Sequence, residues 1–253
     1  MTKQCPKCGY VNPDDANYCS RCGYPLPQQP VISSNYPSTP PPNPLRPDRI
    51  TASLNIFTRN LSIIFPSIIM LIIEIILIAV LGAITAGIGL ILPVAFTVTA
   101  VIFSIIIGII DAIIFSITVH TTTYMAQDAV MGTPLNLSTA FTKARNSLNR
   151  LYPIIAILVV LGILLGISRS VGLGWIIEGL VGVLLYIYSA SAVLNKPTSL
   201  SETLNWYSRA FSADAGGAIV MLIGSLFSLI PVLNIFVIPY TSILTYLMVK
   251  DIS

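Results

Sequence analysis

The chain has 253 residues, 55% of them hydrophobic and 9% charged, and a mean hydropathy of +0.85. A soluble globular domain carries roughly 25% charged residues. Too few charges are present to cover a water-facing surface, so a soluble enzyme is excluded and a polytopic membrane protein is expected. The net charge of +3 is too small to point to a nucleic-acid partner.

All four cysteines lie in the first 22 residues, as Cys5-Pro6-Lys7-Cys8-Gly9 and Cys19-Ser20-Arg21-Cys22-Gly23. Two residues between cysteines let both thiolates reach one ion, and the following glycine permits the tight turn. Cys5, Cys8, Cys19 and Cys22 are therefore expected to close one tetrahedral zinc site, structural because no ligand position is left for water or substrate. Two disulfides are the alternative and would need an oxidising compartment. Residues 1–30 hold no apolar core of a secretory signal, so the N-terminus is expected to stay in the cytosol. Residues 4–26 resemble the short zinc ribbons that begin many archaeal and bacterial proteins, often membrane proteins. The expected role of this first domain, residues 1–24, is contact with a cytosolic protein.

Residues 25–47 contain nine prolines. Such a segment has nothing to bury and forms a polyproline-type spacer, ~3.1 Å per residue when extended. It is expected to tether the ribbon to a membrane domain covering residues 48–253.

Three segments of that domain share a pattern. Counting from Pro47, Pro134 and Pro197, apolar residues fall at +3, +7, +10 and +14: Ile50, Leu54, Phe57, Leu61; Leu137, Phe141, Ala144, Leu148; Leu200, Leu204, Tyr207, Phe211. Spacings of 4, 3 and 4 mark one stripe of an α-helix. Asp48, Asn136 and Thr198 can cap these helices, and Ser199 with Glu202 has the spacing of a capping box. The stripes suit either a lipid interface or burial against the bundle. The first two copies share Phe65-Pro66 and Tyr152-Pro153; the third lacks the pair, so its entry into the membrane is expected to differ. Each stripe precedes apolar sequence long enough for a hairpin, with spans near 61–81, 94–117, 152–168, 175–194, 216–231 and 232–249. The expected fold is all-α: three repeats of an amphipathic interfacial helix plus a transmembrane hairpin, six spans in all, preceded by the small four-cysteine zinc ribbon. With the N-terminus inside, twelve Lys and Arg fall on the inner side and only Arg169 on the outer. That bias places both termini in the cytosol.

The order of these elements, with Gly132-Thr133-Pro134 before the second helix, Ile238-Pro239-Tyr240 and the closing Tyr246-Leu247-Met248-Val249-Lys250-Asp251, resembles the membrane-domain-like family of the glycerophosphodiester phosphodiesterases over residues 48–251. The resemblance implies a six-span architecture. It implies no catalytic residue, because the phosphodiesterase chemistry belongs to a separate soluble domain.

Ionisable residues inside a membrane need a reason. Glu74 and Asp111 suit either a cation or proton path or hydrogen bonds to neighbouring helices. Arg169 and Glu178 are expected in one outer turn, where Arg169 pairs with Glu178, reaches Glu74 instead, or snorkels to head groups. Gly162 with Gly166, and Gly82 with Ala86, have the spacing of close helix packing. One histidine, His120, and the absence of any Walker loop, G-x-S-x-G or H-E-x-x-H motif argue against catalysis; His120 itself is expected at the membrane interface. The expected function is that of a non-enzymatic membrane scaffold or regulator. The alternative is a small-solute or ion transporter using Glu74 and Asp111.

Overall fold

The computed structural model describes residues 2–13, 16–26, 48–168 and 171–252. It divides into two units, Met1–Arg46 and Pro47–Ser253. Most of the proline-rich segment, residues 27–47, lies outside the described residues, as does Arg169.

The first unit is built on the cysteine turns. Strands β1 (Thr2–Gln4) and β2 (Val11–Pro13) pair antiparallel, with Lys3 opposite Asn12. Cys5, Cys19 and Leu26 form its small core.

The second unit holds nine α-helices among the described residues: α1 (Arg49–Arg59), α2 (Phe65–Ile91), α3 (Pro93–Met131), α4 (Leu137–Ser147), α5 (Tyr152–Ser168), α6 (Val171–Val193), α7 (Leu200–Ala213), α8 (Ala215–Phe227) and α9 (Asn234–Asp251). Three short amphipathic helices, α1, α4 and α7, each start on a side chain that accepts the N–H three residues on: Asp48 from Thr51, Asn136 from Thr139 and Ser199 from Glu202. The hydrogen bond from Thr51 N–H also holds the Asp48 carboxyl below the usual carboxylate range. The third cap is Ser199, one residue beyond Thr198.

The joints that follow differ as the sequence suggests. A four-residue 3-10 turn (Leu61–Ile64) joins α1 to Phe65-Pro66 of α2, and another (Leu148–Leu151) joins α4 to Tyr152-Pro153 of α5. In the third, α7 passes into α8 through Asp214, whose side chain caps Gly217 N–H at 2.9 Å.

The apolar stripes are only partly the faces these helices bury: Ala144 is buried, and Ile50, Phe57, Leu137 and Tyr207 are half-buried against the core. The fully buried residues are mostly small or polar: Ser53 from α1, Ala140 and Ala144 from α4, and Thr203 and Ala210 from α7, with Trp206 the large exception. Leu54, Leu61, Phe141, Leu204 and Phe211 remain exposed. An outward row of large apolar side chains is what a lipid interface would cover.

Four helical stretches are long and apolar enough to cross a membrane: Leu61–Ile91, Ala95–Met131, Leu137–Gly166 and Ile176–Val193. The sequence alone suggests six spans with the second ending near 117. Instead α3 runs without a break for 39 residues, ~58 Å, to a left-handed Gly132. Hydropathy falls after residue 117, but hydropathy measures fitness for lipid and not the tendency to stay helical. The third hairpin is shorter than the spans expected at 216–231 and 232–249. Helix α8 has only 13 residues, ~20 Å, and Pro231 helps to stop it. Val232 in the turn takes φ 71°, a conformation rare for a β-branched residue.

Helix α3 is the ruler against which the hairpins are measured. The first turns at Leu92. Near the end of α5, Gly166 meets Ser104 and Ile105. The α8–α9 turn borders the same cavity as Asp111. From Leu92 to Asp111 is ~28 Å along the helix, so the third hairpin turns much earlier than the first.

Candidate functional sites: the zinc centre and an acidic cavity

The two cysteine turns are built alike. Gly9 N–H donates to Cys5 O and Gly23 N–H to Cys19 O, both at 2.9 Å, and both glycines take positive φ, 69° and 68°. Cys5 N–H bonds Tyr10 O and Cys19 N–H bonds Tyr24 O, again at 2.9 Å. Each turn thus presents its two sulfurs in the same way. The four sulfurs lie within 4.8 Å of one another. Cys5 Sγ is 3.7 Å from Cys22 Sγ, and Cys8 Sγ is 3.6 Å from Cys19 Sγ. A tetrahedron with Zn–S bonds of ~2.3 Å has edges of ~3.8 Å, so the donors fit zinc in kind, number and spacing. All four cysteines are free of disulfides.

Residues 4–26 match the family model of the zinc-ribbon domain. No curated protein and no solved structure matches the chain. The N-terminal ribbon is a zinc-binding domain.

Asn12 ties the ribbon together and carries no sequence signal that would single it out. Its buried amide donates to Tyr10 O at 3.0 Å and to Cys19 Sγ at 3.5 Å, while its oxygen accepts from Ser20 N–H at 2.9 Å and Ser20 Oγ at 3.0 Å. One side chain therefore links the first turn to the second. In the metal-free ribbon, burial works to raise the Cys19 thiol, but N–H groups of Arg21 and Cys22 and the Asn12 amide outweigh it and bring it down to about 6. For Cys8 the hydrogen bond with the Tyr10 backbone works downward, yet neighbouring Cys22, burial, Cys19 and Cys5 push it up to about 12. Four sulfurs this close cannot all ionise without a cation among them, and zinc supplies that charge.

The membrane unit contains a second cluster. Glu74 from α2, Asp111 from α3 and Glu178 from α6 line one cavity of about 160 Å³ together with Ser228 and Asn234 from the α8–α9 turn. The sequence alone associates Glu178 with an outer turn and Arg169; the structure sets it two helical turns into α6 and beside the other two acids. Their convergence could not be read from sequence, because it depends on where three hairpins end against α3. The expected Arg169–Glu178 pair involves a residue outside those described.

His120 is not a surface residue. It is fully buried on α3, with Nδ1 2.9 Å from Ser189 Oγ of α6 and Nε2 2.8 Å from Ser147 Oγ of α4. Tyr124 Oη joins Ser147 Oγ at 2.9 Å, and Ser189 Oγ donates to Thr123 Oγ1 at 2.8 Å. The histidine joins three helices. A separate groove of about 450 Å³ between α2, α3 and α4, lined by Ile69, Ile73, Ile117 and Phe141, is almost wholly apolar.

Proposed function

We propose that this protein is a non-enzymatic integral membrane scaffold or regulator that presents a zinc ribbon to a cytosolic protein. Two full hairpins, α2–α3 and α5–α6, and a shorter third, α8–α9, make six membrane-inserted helices, with both termini in the cytosol. The Lys and Arg bias supports the orientation, and the outward apolar rows of α1, α4 and α7 support their place at the inner lipid interface. The resemblance to the membrane-domain-like family of the glycerophosphodiester phosphodiesterases agrees with this arrangement.

The observation that carries the ribbon's role is its surface. A closed four-sulfur centre leaves zinc no chemistry beyond holding the fold, yet the ribbon exposes Tyr10, Tyr18 and Tyr24. Tyrosine is enriched where proteins meet. The test is cross-linking in intact cells with the native chain and with Cys19→Ser. A cytosolic protein captured by the first and lost by the second is the expected outcome. Equal capture by both would assign the contact elsewhere.

A second reading, passage of a small cation past Glu74 and Asp111, is favoured by one observation: both carboxylates line one cavity with Glu178. Cation flux into proteoliposomes, lost in Asp111→Asn, would establish it.

A further inference from the structure

We propose that the cavity between α2, α3, α6 and the α8–α9 turn is a binding site for a hard divalent cation of the magnesium and calcium class. The inference deepens the second reading above and needs binding only, not passage.

Three carboxylates converge there, and the described lining contains no lysine or arginine. An acidic cluster alone would not make a site. The second observation is Asn234, the first residue of α9. It is 2% exposed, lines the cavity, and its Oδ1 has no hydrogen-bond partner. A buried amide oxygen left unmatched is destabilising, and a cation is a ligand to which such an oxygen can offer its lone pairs. Asp111 Oδ1 is buried and unpartnered in the same way. Ser228 Oγ donates its hydrogen to Ser225 O at 2.7 Å, so toward the cavity it can offer only a lone pair.

The donor set selects the ion. Its polar donors, carboxylates, an amide and a hydroxyl, all offer oxygen, which suits magnesium, calcium or manganese rather than zinc or copper. Charge selects the valence. Three ionised carboxylates with a monovalent ion would leave two negative charges in a low-dielectric surrounding. A divalent ion leaves one, which a single proton removes. The backbone agrees: residues 228–233 are non-helical between two apolar helices, and irregular backbone at membrane depth is tolerated where it is buried or lines a cavity.

The experiment uses the full chain in nanodiscs, with zinc in the ribbon, titrated with Mn²⁺ and followed by electron paramagnetic resonance. One saturable Mn²⁺ site per chain is expected, displaced by Mg²⁺ or Ca²⁺. Asp111→Asn and Asn234→Leu should each weaken it by ~10-fold or more. Glu202→Gln, on α7 and outside this cavity, should leave it unchanged. No saturable binding at millimolar Mn²⁺, or binding indifferent to both cavity substitutions, overturns the site. Binding that appears only in Arg169→Gln also overturns it, because that arginine would then be the natural counter-charge. Binding without flux in proteoliposomes sinks cation passage and leaves the site standing.

Discussion

Gly108 of α3 and Gly162 of α5 bring two helices together backbone against backbone: a Cβ on either would lie 2.5 Å from the carbonyl oxygen of the other. No side chain separates them, and Gly166 meets the Ile105 Cα in the same manner, 2.9 Å from where its Cβ would stand. Helices in lipid gain little from apolar burial, so close approach through small residues is a main source of their affinity. Gly162→Ala and Gly108→Ala should each cost ~1–3 kcal/mol, read as lowered thermal stability in detergent. The double variant should cost less than the sum, since one outward shift relieves both clashes. Among the described residues nothing lies within 4 Å of a Cβ on Gly82, so its spacing with Ala86 marks no helix contact there. Gly82→Ala should be neutral or gain up to ~1 kcal/mol, and a large loss there would refute this packing.

The two glycine pairs show what sequence could tell. The spacing of Gly162 and Gly166 is legible because both lie on one helix. Gly108, the partner of Gly162 on α3, sits four residues from both Ser104 and Ala112, a small-residue spacing of the same kind, but nothing in the chain order says that α3 rather than another helix receives α5. The same division runs through the sites. The zinc centre is legible because its ligands and positive-φ glycines are local. The helix caps at Asp48, Asn136 and Ser199 are legible for the same reason. Asn12, the burial of His120 and the meeting of Glu178 with Glu74 and Asp111 depend on long-range packing, and no local pattern encodes them.

Zinc should govern the ribbon and leave the helices alone. Fewer than thirty residues bury too little apolar surface to fold unaided. Cys19→Ser or a strong chelator should abolish the ribbon's dispersed amide resonances while helical circular dichroism is retained, and metal analysis should give one zinc per native chain. Affinity should rise with pH. Cys8, pushed up to about 12 without metal, is protonated at neutral pH, so zinc must displace that proton. Competition with a chromophoric chelator at pH 6 and 7.5 would show it; equal affinity at both would mean that the thiols are already ionised.

Arg49 joins the first amphipathic helix to the last hairpin. Its guanidinium reaches Asp214 at 3.0 Å and Asp251 at 3.2 Å, with all three side chains partly exposed. Partial exposure keeps each pair modest. A double-mutant cycle of Arg49→Gln with Asp214→Asn should give a coupling of ~0.5–1 kcal/mol that shrinks in high salt. No coupling at low salt would reduce the contact to coincidence. Asp214 keeps its bond to Gly217 N–H in Arg49→Gln, so α8 should remain capped.

His120→Leu removes two buried hydrogen bonds but strands few atoms. Ser189 Oγ still has Thr123 Oγ1 as a partner, and Ser147 Oγ can donate to Lys143 O, 3.0 Å away. The expected loss is therefore near the lower end of the ~1–3 kcal/mol range for a broken buried pair, and it should be no larger when Ser147→Ala is added. A strongly additive second loss would mean that Ser147 stabilises α4 independently of the histidine.

The depth of the third hairpin separates six equal spans from two full hairpins and a short one. With α4 at the inner interface, Asp111 lies nine residues, ~14 Å, from His120, where α3 meets the end of α4. That is about half of a ~30 Å hydrocarbon core, and the α8–α9 turn shares the cavity at Asp111. Backbone at such depth must satisfy its own polar groups. In this turn Ser228 N–H bonds Gly224 O, Ile230 N–H bonds Phe227 O, Leu233 N–H bonds Pro231 O and Asn234 N–H bonds Ile230 O, at 2.8–3.1 Å. A spin label at Val232, in a chain whose ribbon cysteines are replaced by serine, should report a position deep in the bilayer, rich in oxygen and poor in water-borne relaxation agent. A label at Leu90, beside the first turn, should report the far interface. If Val232 proves as water-accessible as Leu90, the third hairpin crosses the membrane completely.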